Sequence, residues 1–337
     1  MKEATIKAYA KINLSIDVLG KRADGYHLVR MIMQQIDLWD LVRVRLKEEP
    51  AKAGEIGLSC RVSVLSQNAA DLPCDESNLA WKAAALLFQA RPESKARLEQ
   101  KGTMVDIHIE KNIPMAAGLA GGSADAAAVL HALNRLLELG LSLQELMELG
   151  VKLGADVPFC IMGQAAAEKA PVAQHQAGQA AASAPLEECG PSTCAEATGI
   201  GEILVPLPPL GSWVLLSKPP IAVSTAEVYG ALDGAVIEKR PGTESIIECL
   251  KKENCFNLYE NMYNVLEKVS EFLYPVIANT RESMEWGGVQ TLNASKPMMS
   301  GSGPTVFMLA SERAALAPLF EKMKAINPET YLIETLR

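Results

Sequence analysis

A chain of 337 residues, 49% hydrophobic and 21% charged, is long enough for two ordinary domains and for a core that folds without disulfide support. Its net charge of −8 argues against the basic surface of a nucleic-acid-binding protein, but leaves room for a local cation cluster that takes an anionic small molecule. Seven cysteines, an odd number with no CxxC pair, read as free thiols in a reducing compartment rather than as a zinc centre or a disulfide framework.

In chain order, ATIKAYAKINLSIDVLG (4–20) predicts one or two strands. The N-terminal region lacks the apolar stretch of a signal peptide, and no apolar run reaches the ~18 residues of a membrane helix, so a cytoplasmic protein with no membrane partner is expected. LVRVRL (41–46) and MVDIHIE (104–110) alternate apolar and polar residues, the period of half-buried strands. NLAWKAAALLFQA (78–90) sets apolar residues at helical spacing behind an Asn cap, and further helices are predicted over 125–139 and 142–153. The first half is therefore α+β, with a mainly antiparallel sheet.

Residues 164–198 change character, being rich in Ala and Gln with scattered Pro and no clean period. They read as a surface insertion, partly disordered, although the alanines could support a short helix. Beyond it, SWVLLSKPP (212–220) predicts a strand, STAEVYGAL (224–232) a helix opened by a Ser-x-x-Glu capping box, ENMYNVLEKVSEFLYPVI (260–277) an amphipathic helix and GPTVFMLA (303–310) a strand.

The most informative stretch is IPMAAGLAGGSADAAAVLHALN (113–134). Gly118, Gly121 and Gly122 permit positive φ and close approach of a ligand to the backbone. Ser123 is a suitable N-cap, and the unpaired N–H groups of the helix behind it form an anion site, for which phosphate is the natural occupant. The spacing is neither a Walker A loop nor GxGxxG, so a tight strand-to-helix turn without a ligand stays open as the alternative. MMSGSGPTVF (298–307) is a second Gly-Ser turn, LGADVPF (153–159) holds Asp156 in a short apolar turn, and AKINL (10–14) places Lys11 and Asn13 on one face of a strand. Asp156 alone reads more readily as a helix cap or an ion-pair partner than as a catalyst.

Together, KAYAKINLSIDVLGKRADGYH, PMAAGLAGGSADAAA and SGSGPTVF, in that order, resemble the three signatures of the GHMP kinases, small-molecule kinases that lack a Walker A loop. The resemblance spans residues 7–309 apart from 164–198. Within the family, AKINL, KRADGYH, LGADVPF and KPPIAVSTAEVY look like the members that phosphorylate diphosphocytidyl methylerythritol. The resemblance implies a two-domain α+β fold, residues 1–163 and 199–337 either side of the insertion, with ATP and substrate in the cleft between domains. It implies ATP with Mg²⁺, a cytidine diphosphate-linked small-molecule substrate, and a monomer or weak homodimer.

By the same resemblance, Asp156 is the catalytic carboxylate and Lys11 lies beside it and the transferring phosphoryl group. Pro114, Met115, Ala116, Ala117, Gly118, Leu119, Ala120, Gly121, Gly122, Ser123 and Ala124 form the ATP loop, with Asn78 and Lys111 as nucleotide neighbours. Asn13 meets the methylerythritol hydroxyls. Tyr26 stacks on the cytosine, His27 hydrogen-bonds it, and Tyr229 offers a second face; Gly301 and Ser302 complete the substrate side. No Mg²⁺ ligand is assigned. A sibling kinase for homoserine, mevalonate or a sugar is disfavoured by DGYH, and a non-catalytic nucleotide binder by the pairing of Lys11 with Asp156. Ala124 stands where the family commonly carries a second Ser, which implies weaker ATP binding rather than lost activity. The charge of Asp125 is expected to point away from the phosphates, and the insertion is read as an inert surface loop, with a lid or partner-binding element as the alternative.

Overall fold

The structure, a computed structural model, describes residues 2–48, 57–64, 73–169, 190–252, 255–285 and 294–337. It divides into two compact units, one made of residues 1–10, 38–113 and 120–165, the other of 11–37, 114–119 and 166–337. The sequence division at residues 163 and 198 follows composition along the chain, whereas each unit is built from three separate chain segments. The reason is strand length: β1 (Lys2–Lys21) and β2 (His27–Glu48) each start in one unit and end in the other, with no break in pattern at the crossing. The one-or-two-strand reading of 4–20 resolves to the single strand β1.

In the first unit, β2 pairs antiparallel with β4 (Thr103–Lys111) from Leu41↔Glu110 to Glu48↔Thr103. On the other side of β4, β3 (Gly57–Val64) runs parallel, a departure from an otherwise antiparallel pattern. The helices are α1 (Leu79–Ala90), α2 (Pro92–Gln100), α3 (Gly121–Leu136), α4 (Leu143–Val151) and α5 (Val157–Lys169). Asn78 caps α1 as expected, its Oδ1 accepting the Ala80 N–H at 2.8 Å. Ser142 and Glu145 form a reciprocal capping box on α4. The alanines of α3, Ala126, Ala127 and Ala128 among them, are buried and let it pack closely against Ala80, Ala83 and Ala84 of α1.

In the second unit, β5 (Cys194–Thr198) and β6 (Ile203–Leu207) are antiparallel neighbours, and β5 pairs with Met31–Gln34 of β2. A separate four-stranded antiparallel sheet has the order β10-β7-β9-β8, formed by β7 (Trp213–Lys218), β8 (Met298–Met299), β9 (Val306–Ala310) and β10 (Glu329–Glu334). Val214, Leu215, Phe307 and Leu309 are sealed from solvent, and each such side chain contributes roughly 1.5–3 kcal/mol by leaving water. The helices here are α6 (Thr225–Leu232), α7 (Thr243–Lys251), α8 (Cys255–Asn261), α9 (Glu267–Leu273), α10 (Pro275–Glu285) and α11 (Arg313–Ile326). Among the described residues, no helix is long and apolar enough to cross a membrane, and Cys60, Cys194 and Cys249 are free thiols.

Three expectations are corrected. The insertion's two ends belong to the fold: residues 164–169 continue α5, and 194–198 form β5, while 170–189 lie outside the described residues. The capping box of α6 is half made: Ser224 accepts the Glu227 N–H, but the Glu227 carboxylate takes the Tyr274 hydroxyl instead. The single helix over 260–277 is broken. Ile16 of β1 exchanges backbone hydrogen bonds with Tyr263 and Val265, at 3.0 and 3.1 Å, pulling residues 263–265 out of helical geometry. The buried Asn264 then accepts the Leu266 N–H at 3.0 Å and donates to the Met299 and Gly301 carbonyls, both at 2.8 Å.

Asn264 therefore satisfies three buried backbone groups at once. Asn264→Ala is expected to cost about 2–4 kcal/mol, because each orphaned group carries its own desolvation penalty. Urea denaturation measures this, and a loss under ~0.5 kcal/mol would show the side chain to be dispensable.

Candidate active site

The glycine-rich stretch passes from one unit to the other between residues 119 and 120, and its two halves are built differently. In the first half, Gly118 has φ +72°, and a Cβ there would lie 2.2 Å from the Ser300 carbonyl oxygen. Ser300 Oγ donates to the Gly118 carbonyl at 3.0 Å. Gly301 has φ +59°, and its Cβ would meet Gly118 O at 3.0 Å. The two Gly-Ser turns thus press backbone on backbone, and both sides require glycine. Ser302 is buried, with its hydroxyl paired to Thr225 at 2.8 Å and its carbonyl taken by Ser270 at 3.1 Å, so the contacts seen for Gly301 and Ser302 shape the turn. Pro114 and Ala117 are buried in this half, whereas Ala116 is exposed with φ +47° and Met115 is half-buried.

Leu119 O accepts the Lys11 N–H at 3.1 Å, joining this half to β1. Lys11 and Asn13 share a face, as their spacing requires, and both are buried. Lys11 Nζ donates to Asn13 Oδ1 at 2.7 Å, and Asn13 Nδ2 points to Met31 Sδ at 3.3 Å.

In the second half, the helix starts earlier than expected. Ala120, in the left-handed region at φ +57°, is the N-cap of α3, and it makes no side-chain cap hydrogen bond. Ser123 is therefore not the cap but the third residue of the first turn, a correction that follows from where the left-handed residue reverses the chain. The first internal bond is Ala124 N to Ala120 O at 2.9 Å, so the N–H groups of Gly121, Gly122 and Ser123 are those a helix cannot satisfy itself. Gly122 is exposed and has no side chain to obstruct them. Its nearest neighbour is Leu79, next to the cap Asn78, whose Nδ2 donates to Pro73 O at 2.9 Å. The Asn78 side chain is thus occupied by the α1 start.

Beneath this turn lies a buried charge cluster. Lys111 Nζ bonds to Asp125 Oδ2 at 2.6 Å and to Asp40, while Asp40 Oδ1 accepts the N–H groups of Asn112 and Ile113 at 2.6 and 2.8 Å. A Cβ on Gly121 would sit 3.0 Å from Lys111 Nζ. Burial works to lower the Lys111 pKa, but the two carboxylates outweigh it and hold it raised. Burial pushes Asp125 up to about 7, assisted by Asp40 and opposed by Lys111. The Asp125 charge therefore turns inward onto Lys111. Asp40 was not singled out from the sequence, although an acid in register with the buried Val42 and Val44 of one strand face was a usable signal.

Asp156 is half-buried at the entrance to α5, its carbonyl accepting the Cys160 N–H at 3.1 Å. Pro158 sits in the first turn of that helix, where a missing N–H costs nothing. In the second unit, the His27 ring lies 4.9 Å from the Tyr229 ring at 36°, and Nε2 bonds to Asp233 Oδ1 at 2.6 Å. Asp233 also pairs with Lys21, and hydrogen bonds from Lys21 and then His27 hold its carboxyl below the ordinary value. Tyr229 thus spends one face on His27, while Tyr26 is 60% exposed. Lys21 and Asp233 are further residues that sequence reasoning missed.

The first turn of α3 has no side-chain cap on its N–H groups, an arrangement that suits an anion at a helix start. The sequence profile of the GHMP kinases N terminal domain matches residues 78–164, and that of the GHMP kinases C terminal domain matches 246–328. The chain belongs to the GHMP kinase family. It is 40% identical over 336 residues to the 4-diphosphocytidyl-2-C-methyl-D-erythritol kinase of Alkaliphilus metalliredigens (strain QYMF), covering 99% of this chain and 97% of the relative. The enzyme of the same name from Clostridioides difficile (strain 630) is 44% identical over 307 residues, 90% of this chain and 86% of its own. A crystal structure of 4-(cytidine 5'-diphospho)-2C-methyl-D-erythritol kinase superposes with a TM-score of 0.67 at 26% identity, covering 98% of this chain and 99% of that one.

The cluster makes a pH prediction. A carboxyl raised from 3.8 to about 7 favours the folded state below pH ~4, and that contribution is lost as pH rises through 7. Wild type should therefore lose thermal stability relative to Asp125→Asn between pH 5 and pH 8. Parallel melting-temperature curves for the two proteins would contradict it.

Proposed function

We propose that this chain is a small-molecule kinase that uses ATP to phosphorylate the 2-hydroxyl of 4-diphosphocytidyl-2-C-methyl-D-erythritol, giving the 2-phosphate and ADP. The observation that carries the reading is the 40% identity along 99% of the chain to relatives bearing that activity in their name. A homoserine kinase structure, 18% identical with a TM-score of 0.60, supports the fold alone. The chemistry takes a place in non-mevalonate isoprenoid precursor synthesis, with a cytoplasmic enzyme working as a monomer or weak homodimer.

The N–H groups of Gly121, Gly122 and Ser123 receive the ATP phosphates, and the helix dipole adds roughly 0.3–2 kcal/mol for one negative charge. The small residues Ala116, Ala117 and Gly118 carry the chain past the nucleotide, and Ala124 leaves the backbone donors in place. Asn78 and Lys111 act on the nucleotide through the helix starts they hold. Mg²⁺, bound with the nucleotide, would neutralise phosphate charge, and no residue of this chain is assigned as its ligand.

Asp156 accepts the proton of the attacking hydroxyl, and its position ahead of α5 suits a negative side chain. Lys11 offsets the charge that develops on the transferred group, held in place by its bond to Asn13. Asn13 keeps its remaining capacity for the methylerythritol hydroxyls. Tyr26 presents an open face to the cytosine. With Nε2 given to Asp233 and its ring backed by Tyr229, His27 keeps Nδ1 for the base. Gly301 and Ser302 hold the turn that faces the substrate.

Incubation with Mg-ATP and a panel of alcohols, followed by phosphorus NMR, should give a new monoester only with diphosphocytidyl methylerythritol. Turnover of homoserine or mevalonate instead would overturn the substrate. Asp156→Asn should fold and bind ATP normally while kcat falls about 10²–10⁴-fold, the usual contribution of a positioned base; unchanged turnover would remove Asp156 from the chemistry. Tyr26→Ala should raise KM for the diphosphocytidyl substrate about tenfold or more, as expected for one lost base stack, and leave KM for ATP alone.

A further inference from the structure

The charge cluster of the first unit has more structure than a nucleotide contact needs. Lys111 is 4% exposed and Asp40 is sealed from solvent, so neither reaches a ligand as it stands. All three of its members are anchored to backbone that shapes the start of α3. Asp40 grips the two N–H groups that follow β4, Lys111 is the last residue of β4, and Asp125 lies one turn into the helix. The ammonium lies directly under Gly121, where even a methyl group would touch it at 3.0 Å. A lone cation there would oppose the positive end of the helix dipole. Two carboxylates reverse that sign and bind it on both sides. Asp125 Oδ1 is buried without a hydrogen-bond partner, so the second carboxylate is kept in the core at a cost.

We propose that Asp40, Lys111 and Asp125 form a positioning clamp that sets the opening turn of α3, with Asp125 as the positioning residue through which Lys111 fixes where the backbone N–H groups meet the ATP phosphates. The proposal rests on the reading of that turn as the phosphate site. It separates Asp125 from the catalytic residues: the carboxylate touches neither substrate nor nucleotide and acts through the helix. The bond from Lys111 to Oδ2 is what matters, so an amide oxygen at the same place should serve nearly as well as a carboxylate.

The test is a comparison of Asp125→Ala and Asp125→Asn by steady-state kinetics, with calorimetric titration of a non-hydrolysable ATP analogue. Asp125→Ala should raise KM for ATP and the analogue Kd tenfold or more, with kcat at saturating ATP within about threefold of wild type. Asp125→Asn, which can still accept from Lys111, should restore both constants to within about threefold. A merely structural role would lower the melting temperature and the active fraction without moving KM. Gly122→Val, which places a branched side chain over the exposed turn, tests the phosphate-site reading separately. If Gly122→Val weakens ATP binding and Asp125→Ala does not, the clamp is wrong; if neither does, the site reading is wrong as well. Should Asp125→Ala fail to fold, Asp125→Ser, which shortens the side chain but keeps a polar group, carries the same thresholds.

Discussion

The site depends on the peptide N–H groups that open α3 being left without a cap. A helix cannot satisfy its first turn from within, and Asn78, Ser142 and Ser224 each lend a side chain to the helix they open. At α3 the cap position is held by Ala120, which has nothing to offer, in a backbone conformation that costs a non-glycine residue roughly 1 kcal/mol or more. The fold accepts an unsatisfied helix start and a strained cap at the same residue. That combination suits a place where an anion supplies the missing partner.

Each unit also holds its own part of the glycine-rich stretch through contacts of its own. In the second unit, Gly118 and Gly301 let two turns meet at backbone distance, and Ser300 and Asn264 tie them with hydrogen bonds to carbonyl oxygens. In the first unit, a buried lysine between two aspartates supports the helix from below. Buried ion pairs are weak sources of net stability, because desolvation consumes most of the attraction, but they are demanding about geometry. A cluster of this kind is better explained by placement than by stability.

Much of this was legible in the sequence. Period-two alternation located the strands at 41–46 and 104–110, and Asn78 marked the start of α1. Lys11 and Asn13, two residues apart on one strand, do touch. The helix over 260–277 was not legible, because its apolar period is real and only the hydrogen bonds from Ile16 break it. Nor was the Ser123 cap: a serine before an apolar run is a good cap in isolation, but the turn ends three residues earlier. Asp40 escaped because its partner lies 71 positions away.

What the sequence determined by itself was local: which segments are strands or helices, that a glycine-rich loop precedes a helix, and, through its ordered motifs, the family to which the chain belongs. These follow from backbone preference and side-chain period, which act over a few residues. Tertiary structure alone decided which residue caps α3, where the helix near residue 264 breaks, and that His27, Tyr229 and Asp233 meet while Lys111 faces inward. Each of those outcomes turns on hydrogen bonds or charges between positions far apart in the chain, whose energies exist only once the chain has folded.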